Sequence, residues 1–280
     1  VKDSVTQRLI ALALEEDLAG GDATAAATVP AELTATARFV ARRDGVVAGL
    51  GAVAAVIDAV DPALVLRPAV ADGQRVSGGT VVATVSGSAR GILAAERTAL
   101  NLLTHLSGVA TQTAALVDAL SGTACVVRDT RKTLPGMRAL QKAAVVAGGG
   151  VNHRFSLADG ILIKDNHVAA AGGVGTATRQ ALDNPAGVGV QVEVDNLAQL
   201  AEALDAGARS VLLDNFALAE MREAVATCRA IPDDVFVEAS GNVTLETARA
   251  IAETGVDAVA VGALTHSVRA LDIGLDWETT

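Results

Sequence analysis

Apolar positions recur along this 280-residue chain in two different rhythms, and the change falls near residue 122. Residues 4 to 18 place Leu9, Ile10, Leu12, Ala13 and Leu14 on or near one helical face. The segment AGGDATAAATVP follows and reads as a loop. Residues 34–50 (TATARFVARRDGVVAGL) have the alternation and β-branched content of strands, with a turn at Asp44-Gly45. GAVAAVIDAV, ending at Asp61-Pro62, reads as a helix. LVLRPAV and ADGQRVSGGTVVATVSGSARG then read as short strands broken by glycine turns. Up to about residue 91 the pattern is that of an α+β module with mostly antiparallel strands. Residues 92–120 carry a helical stripe of Leu93, Leu100, Leu103, Val109, Leu116 and Leu120, with a break expected at Ser107-Gly108. Glu96, Arg97, Asn101 and His105 recur on one flank, which from spacing alone is an ordinary surface face.

Beyond residue 122, short apolar strands alternate with amphipathic helices. The strands are ACVVR (124–128), GILIK (160–164), VGVQVEV (188–194), RSVLLD (209–214), VFVEAS (235–240) and VDAVAVG (256–262). Such near-continuous apolar runs imply strands covered on both faces, hence a parallel sheet. Asp195 or Asn196 can cap the helix LAQLAEALDA, which Gly207 closes; Thr244 can cap LETARAIAET, which Gly255 closes. Every strand ends in polar chemistry: Arg128, Lys164, Glu193, Asp214, Glu238, and Gly262 followed by ALTH. All C-terminal strand ends meet at one mouth in a barrel but not in an open sheet, so the pattern favours a barrel of about six βα units. The fold class is α/β.

Composition narrows the function. The chain has a formal net charge of −10, yet residues 128–167 hold seven cations against three anions. An acidic protein that gathers positive charge in loops after apolar runs is building a pocket for a small polyanion. The alternative is a basic helix face on the surface. Overall acidity and 2 % aromatic residues argue against nucleic acid, which wants a basic surface and stacking rings. No apolar run is long enough for a membrane span. Glu15, Glu16 and Asp17 follow the first apolar run where a signal peptide would have small residues. Cys125 and Cys228 lie in apolar surroundings without partner spacing, as buried free thiols of a reducing cytoplasm would.

The expected mouth contains two kinds of group. Arg131, Lys132, His153, Arg154 and Lys164 are candidate anion receptors. Glu193 and Asp214, on successive strands, are suited to a divalent ion or to sugar hydroxyls. Gly148-Gly149-Gly150, Ser240-Gly241-Asn242 and Gly262-Ala263 offer backbone donors, the last two before helices where amides can cradle a phosphate. His266 could touch that phosphate, and His167 orders its own turn. Lys142, Arg138 and Arg128 divide evenly between site and scaffold. Lys164 could instead be a Schiff-base nucleophile, as in an aldolase, but its cationic surroundings favour charge binding. A non-catalytic anion sensor would have little use for Glu193 and Asp214.

The motifs DTRKTLPG (129–136), GGGVNHR (148–154), LIKDNH (162–167), VEVDN (192–196), LLDN (212–215), EASGN (238–242) and VGALTHS (261–267), with ERTALNLLTHLSGVAT (96–111), resemble those of the quinolinate phosphoribosyltransferase family. The resemblance implies an N-terminal α/β sandwich over residues 1–108, an open, irregular α/β barrel over 109–267, and residues 268–280 packing back on the first domain. It implies transfer of phosphoribose from phosphoribosyl diphosphate to quinolinate with decarboxylation, in de novo NAD biosynthesis. A same-fold relative acting on another ring acid without decarboxylation is the alternative. It further implies Mg2+ and a homodimer in which Arg97 reaches the partner's site, which would reverse the surface reading of that residue. Arg131, His153, Arg154 and Lys164 would surround quinolinate. Lys132, Glu193 and Asp214 would handle the diphosphate and metal, with Ser240, Gly241, Gly262 and His266 near the 5′-phosphate. Ala143-Ala144 and Phe155-Ser156 depart from the family pattern without replacing a charge.

Overall fold

A computed structural model describes residues 3–184 and 187–278. The chain packs as two compact units. One takes the chain through Ala114, then Lys132–Gly149, then everything from Ala263 on. The other takes Ala115–Arg131 and Gly150–Gly262. In chain order the elements begin α1 (Ser4–Leu18), α2 (Ala23–Thr28), β1 (Thr34–Ala41), β2 (Gly45–Val46), α3 (Leu50–Val60), β3 (Val65–Pro68), β4 (Arg75–Val76), β5 (Val81–Ser88) and α4 (Ala89–Ala119). There follow β6 (Val126–Arg128), α5 (Arg138–Ala147), β7 (Ile161–Ile163), α6 (Asp165–Ala171), α7 (Val174–Leu182), β8 (Val190–Val194), α8 (Leu197–Asp205) and β9 (Ser210–Asp214). The last are α9 (Leu218–Arg229), β10 (Phe236–Ser240), α10 (Leu245–Ala252), β11 (Ala258–Ala260), α11 (Ala263–His266) and β12 (Ile273–Trp277).

In the first unit an antiparallel sheet runs in the order β12-β1-β5-β3. The loop expected after α1 contains a helix instead. Asp22 accepts the amide of Ala25 and so caps α2, whose alanines favour the helical state. The break expected at Ser107-Gly108 is also absent: α4 is one helix of 31 residues. The small and hydroxylic residues there are contact points. A Cβ on Gly108 would lie 2.3 Å from the carbonyl oxygen of Arg269 and 2.9 Å from Ala270 Cα. The Ser107 hydroxyl accepts from Ala48 N–H at 3.0 Å and donates to the Ala48 carbonyl at 3.2 Å. Thr111 Oγ1 accepts from Val46 N–H at 2.8 Å. The helix is thus notched where other segments press against its backbone.

The second unit is a six-stranded parallel sheet in the order β6-β11-β10-β9-β8-β7. Consecutive strands β6 and β7 form its two edges, which makes it a barrel-like sheet open between them. Val151 bridges to Arg128 on the outer side of β6: Asp129 N–H donates to Val151 O at 3.3 Å and Val151 N–H to Val127 O at 2.8 Å. Asn196 caps α8 by accepting from Gln199 N–H, and Thr244 caps α10 by accepting from Thr247 N–H, as the sequence anticipates. Among the described residues no helix is long and apolar enough to cross a membrane.

Gly108→Ala separates the two views of α4. In a free helix alanine would add about 1 kcal/mol of stability. Against the Arg269 carbonyl it should instead cost about 1–3 kcal/mol, as overpacking does. Urea denaturation of the two proteins measures the sign.

Candidate functional site

Strand register decides which side chains share a face. On β8, Val192 and Val194 are fully buried, as are Val211 and Leu213 on β9 and Val237 and Ala239 on β10. Gln191, Glu193, Asp214, Glu238 and Ser240 alternate with them and stand on the opposite face. Register puts Glu193, Leu212 and Glu238 at one level, and Asp214, Ser240, Ala260 and Arg128 one pleat further toward the C-terminal ends. The helix-covered face is therefore aliphatic and the other carries the chemistry. From the sequence, Glu238 stood among the polar strand ends but had no site role, and Gln191 was missed as a member of this face. Their signal was legible in the period-two alternation of QVEV and FVEAS.

Several expected site residues come together here. Lys164 Nζ donates to Glu193 Oε2 at 2.5 Å, with the lysine side chain 44 % exposed and the carboxylate 13 %. Arg154 donates from Nη1 to Gly160 O at 2.8 Å. Burial, and then the nearby Arg131 guanidinium, pull the Arg154 group below its ordinary value. Arg131 Nε is buried and makes no hydrogen bond among the described residues. Two guanidiniums that repel each other, one with an unused buried donor, suit an anionic ligand.

His153 is anchored on three sides. Its N–H donates to Asp129 Oδ1 at 2.9 Å, its Nε2 lies 2.8 Å from Gln191 Oε1, and its Nδ1 accepts from Arg154 N–H at 2.8 Å. Burial lowers the imidazole's pKa, an effect partly opposed by the Gln191 hydrogen bond and by Glu238. Arg128 Nη1 donates to Glu238 Oε2 at 2.9 Å and its guanidinium stacks over the Phe236 ring at 5.4 Å. This places Arg128 in the scaffold of the polar face. His167 orders its turn, with Nδ1 accepting from Lys164 N–H at 3.0 Å.

The loops after β9 and β10 are locked together. Asn215 N–H donates to Ser240 O at 2.9 Å, and Asn215 Nδ2 to Asp214 Oδ2 at 2.8 Å. Asn215 and Asn242 have positive φ (57° and 53°), tolerated by asparagine. Gly241 has φ 92°, and a Cβ there would fall 2.0 Å from Asn215 Oδ1, so only glycine fits.

Arg97, Lys132 and His266 belong to the first unit. Lys132 and His266 are exposed, and the segments that carry them are pinned by buried Gln141 and Thr265. Thr265 Oγ1 donates to Lys132 O at 2.8 Å, and Gln141 Nε2 donates to Thr265 O at 2.7 Å. Gln141 Oε1 accepts from Leu134 N–H at 3.0 Å, and its Nε2 lies 2.9 Å from His105 Nε2. Burial lowers the His105 pKa. Lys142 is buried, whereas Arg97 is exposed on α4.

Among the described residues no three His, Cys, Asp or Glu side chains form a metal cage. Glu193 and Asp214, on one face of neighbouring strands, fit the other way of holding Mg2+, in which one or two carboxylates are supplemented by water and ligand phosphates.

An α/β barrel with a cation-lined polar face and two strand-end carboxylates defines an enzyme that works on polyanionic substrates. Sequence comparison gives the family. Residues 22–107 match the N-terminal domain of quinolinate phosphoribosyl transferase and residues 109–276 its C-terminal domain. The chain belongs to the quinolinate phosphoribosyltransferase family. It is 51 % identical over 268 residues to a nicotinate-nucleotide pyrophosphorylase (carboxylating) of Mycobacterium leprae, covering 94 % of each chain. It is 41 % identical to quinolinate phosphoribosyltransferase (decarboxylating) 1 of Nicotiana glauca, over 97 % of this chain and 82 % of that one. The solved nicotinate-nucleotide pyrophosphorylase of Francisella tularensis superposes with a TM-score of 0.94 at 38 % identity, covering 99 % and 98 % of the two chains.

The two histidines set a pH dependence. Each has a folded-state pKa below its unfolded value, so the unfolded chain binds more protons between those values. Stability is therefore fully present above about pH 6.5 and falls as the pH drops below it. Urea titrations between pH 7 and 5 should show this slope, and His105→Gln should remove part of it.

Proposed function

We propose that this chain transfers the phosphoribosyl group of phosphoribosyl diphosphate to quinolinate and decarboxylates the product, giving nicotinate mononucleotide, pyrophosphate and CO2 in NAD biosynthesis. The observation that carries the reading is the nearness of Arg131 to Arg154, with the buried Arg131 Nε making no hydrogen bond among the described residues, a pair of guanidiniums suited to the carboxylates of a ring acid. Arg131, His153, Arg154 and Lys164 surround quinolinate. Lys132, Glu193 and Asp214 serve the diphosphate end, and Ser240, Gly241, Gly262 and His266 the 5′-phosphate. Glu193 and Asp214 would hold Mg2+, which supplies charge neutralisation for the departing pyrophosphate.

The pyridine nitrogen attacks C1 of the ribose as the C1–O bond to pyrophosphate breaks. Carboxylates close to the positive carbon stabilise it. In the product the ring nitrogen is a pyridinium. Its positive charge stabilises the electron pair that stays on C2 when the adjacent carboxylate departs as CO2, and that carbanion then takes up a proton. The chain's tasks are orientation and electrostatics. The enzyme acts as a homodimer in which Arg97 of one protomer serves the site of the other, a reading supported by its exposure on α4. The unpaired, buried thiols Cys125 and Cys228 fit a reducing cytoplasm. Burial, with the Asp257 and Glu238 carboxylates, pushes the Cys125 thiol up to about 12, where it is inert.

With quinolinate, phosphoribosyl diphosphate and Mg2+ the protein should form nicotinate mononucleotide and CO2, and it should leave nicotinate unused. Arg131→Ala should lower kcat/KM for quinolinate by about 2–5 kcal/mol, because a carboxylate is stranded. Near-normal turnover would refute the assignment. Inactive Arg97→Ala and Lys132→Ala chains, mixed under exchange, should regain part of the activity. No recovery after proven exchange would count against the shared site.

A further inference from the structure

Behind His153 runs a chain of hydrogen bonds whose direction is fixed at one end. Arginine has donors only, so Glu238 Oε2 accepts from Arg128 Nη1 at 2.9 Å. Gln191 approaches the same oxygen at 2.7 Å and must turn its amide NH2 toward it. Only its carbonyl then remains for the other side, where Gln191 Oε1 lies 2.8 Å from His153 Nε2. That nitrogen must carry the ring proton. Nδ1 is left as the acceptor, and it takes Arg154 N–H at 2.8 Å. Gln191 is 7 % exposed and Glu238 not at all, so the arrangement sits where packing defines geometry.

We infer that Gln191 is a positioning residue for the phosphoribosyl transfer: oriented by Glu238 and Arg128, it holds His153 as the Nε2–H tautomer and through the ring sets the backbone of Arg154. The inference rests on the proposed place of Arg154 in the quinolinate pocket. Both ring nitrogens are engaged by protein, so His153 transmits position and does not itself transfer a proton. The buried face thereby controls where a substrate-binding guanidinium stands without touching the substrate. Neither Gln191 nor Glu238 carries a role in the phosphoribosyl chemistry derived above.

The test uses the intact enzyme with 15N-labelled histidine. With four histidines in the chain, the His153 ring signals are assigned by their loss in His153→Asn. In the unsubstituted protein they should report a single Nε2–H tautomer. Gln191→Met keeps the side chain's length and removes both hydrogen bonds. It should give mixed tautomers and raise KM for quinolinate about tenfold, the size of one lost bond to an oriented group. KM for phosphoribosyl diphosphate should stay within about twofold. Should Gln191→Met fail to fold, Glu238→Gln, close in shape, should loosen the same tautomer and raise the same KM. A variant that binds phosphoribosyl diphosphate normally but retains both the single tautomer and the original quinolinate KM overturns the inference. Arg154→Ala is the control: no change in quinolinate KM there sinks the pocket assignment, whereas a large change with Gln191→Met silent sinks only the positioning role.

Discussion

A carboxylate with no solvent exposure, Glu238, stands in the middle of the second unit's sheet, and the polar face is arranged around it. Taking such a group out of water costs several kcal/mol unless a partner meets it. Arg128 meets it from β6, two strands away across β11, and is itself braced over Phe236. A hydrophobic pair would be at least as stable at this place. What the ion pair supplies is direction: it determines how Gln191 lies, and that determines what His153 presents.

The same economy of charge explains the cations. The chain is acidic overall, yet Arg131 is held close enough to Arg154 to add to the lowering that burial imposes on it. Without an anion this arrangement stores repulsion, which a bound carboxylate relieves. Ligand that binds only the folded state also stabilises it by mass action. The acidic remainder of the surface has the opposite effect at long range, since it repels polyanions that approach anywhere but the cationic pocket.

Much of this was legible in the sequence. The six strands of the parallel sheet follow from apolar runs ending in polar residues and the cap at Thr244 from its side chain alone, whereas the cap of α8 stayed open between Asp195 and Asn196 until the geometry chose Asn196. The α2 helix was missed because its flanking glycines and Pro30 outweighed a short alanine run, whose Asp22 cap only becomes visible as geometry. The false break at Ser107-Gly108 has a different cause. Glycine in a helix signals either weakness or close approach, and only the position of Arg269, more than 150 residues away in sequence, decides between them. Gln191 and Glu238 were readable as alternation but not as partners, because register across three strands is a tertiary fact. The sequence named Arg131, Arg154 and Lys164 from charge and spacing. It did not reveal that Lys164 lies against Glu193.

The first sheet carries a consequence in time. Its strand order puts β12 beside β1, and the ion pair from Arg38 to Glu278 spans 240 residues. During synthesis β1 emerges early and can pair with β5 at once. Its other edge stays open until β12 has been made, after the whole second unit. At about 5–20 residues per second that is a wait of about ten seconds or more. An edge strand left unpaired so long is a template for the wrong neighbour. Part of its protection is written into β1 itself, which carries the charged Arg38 on the strand.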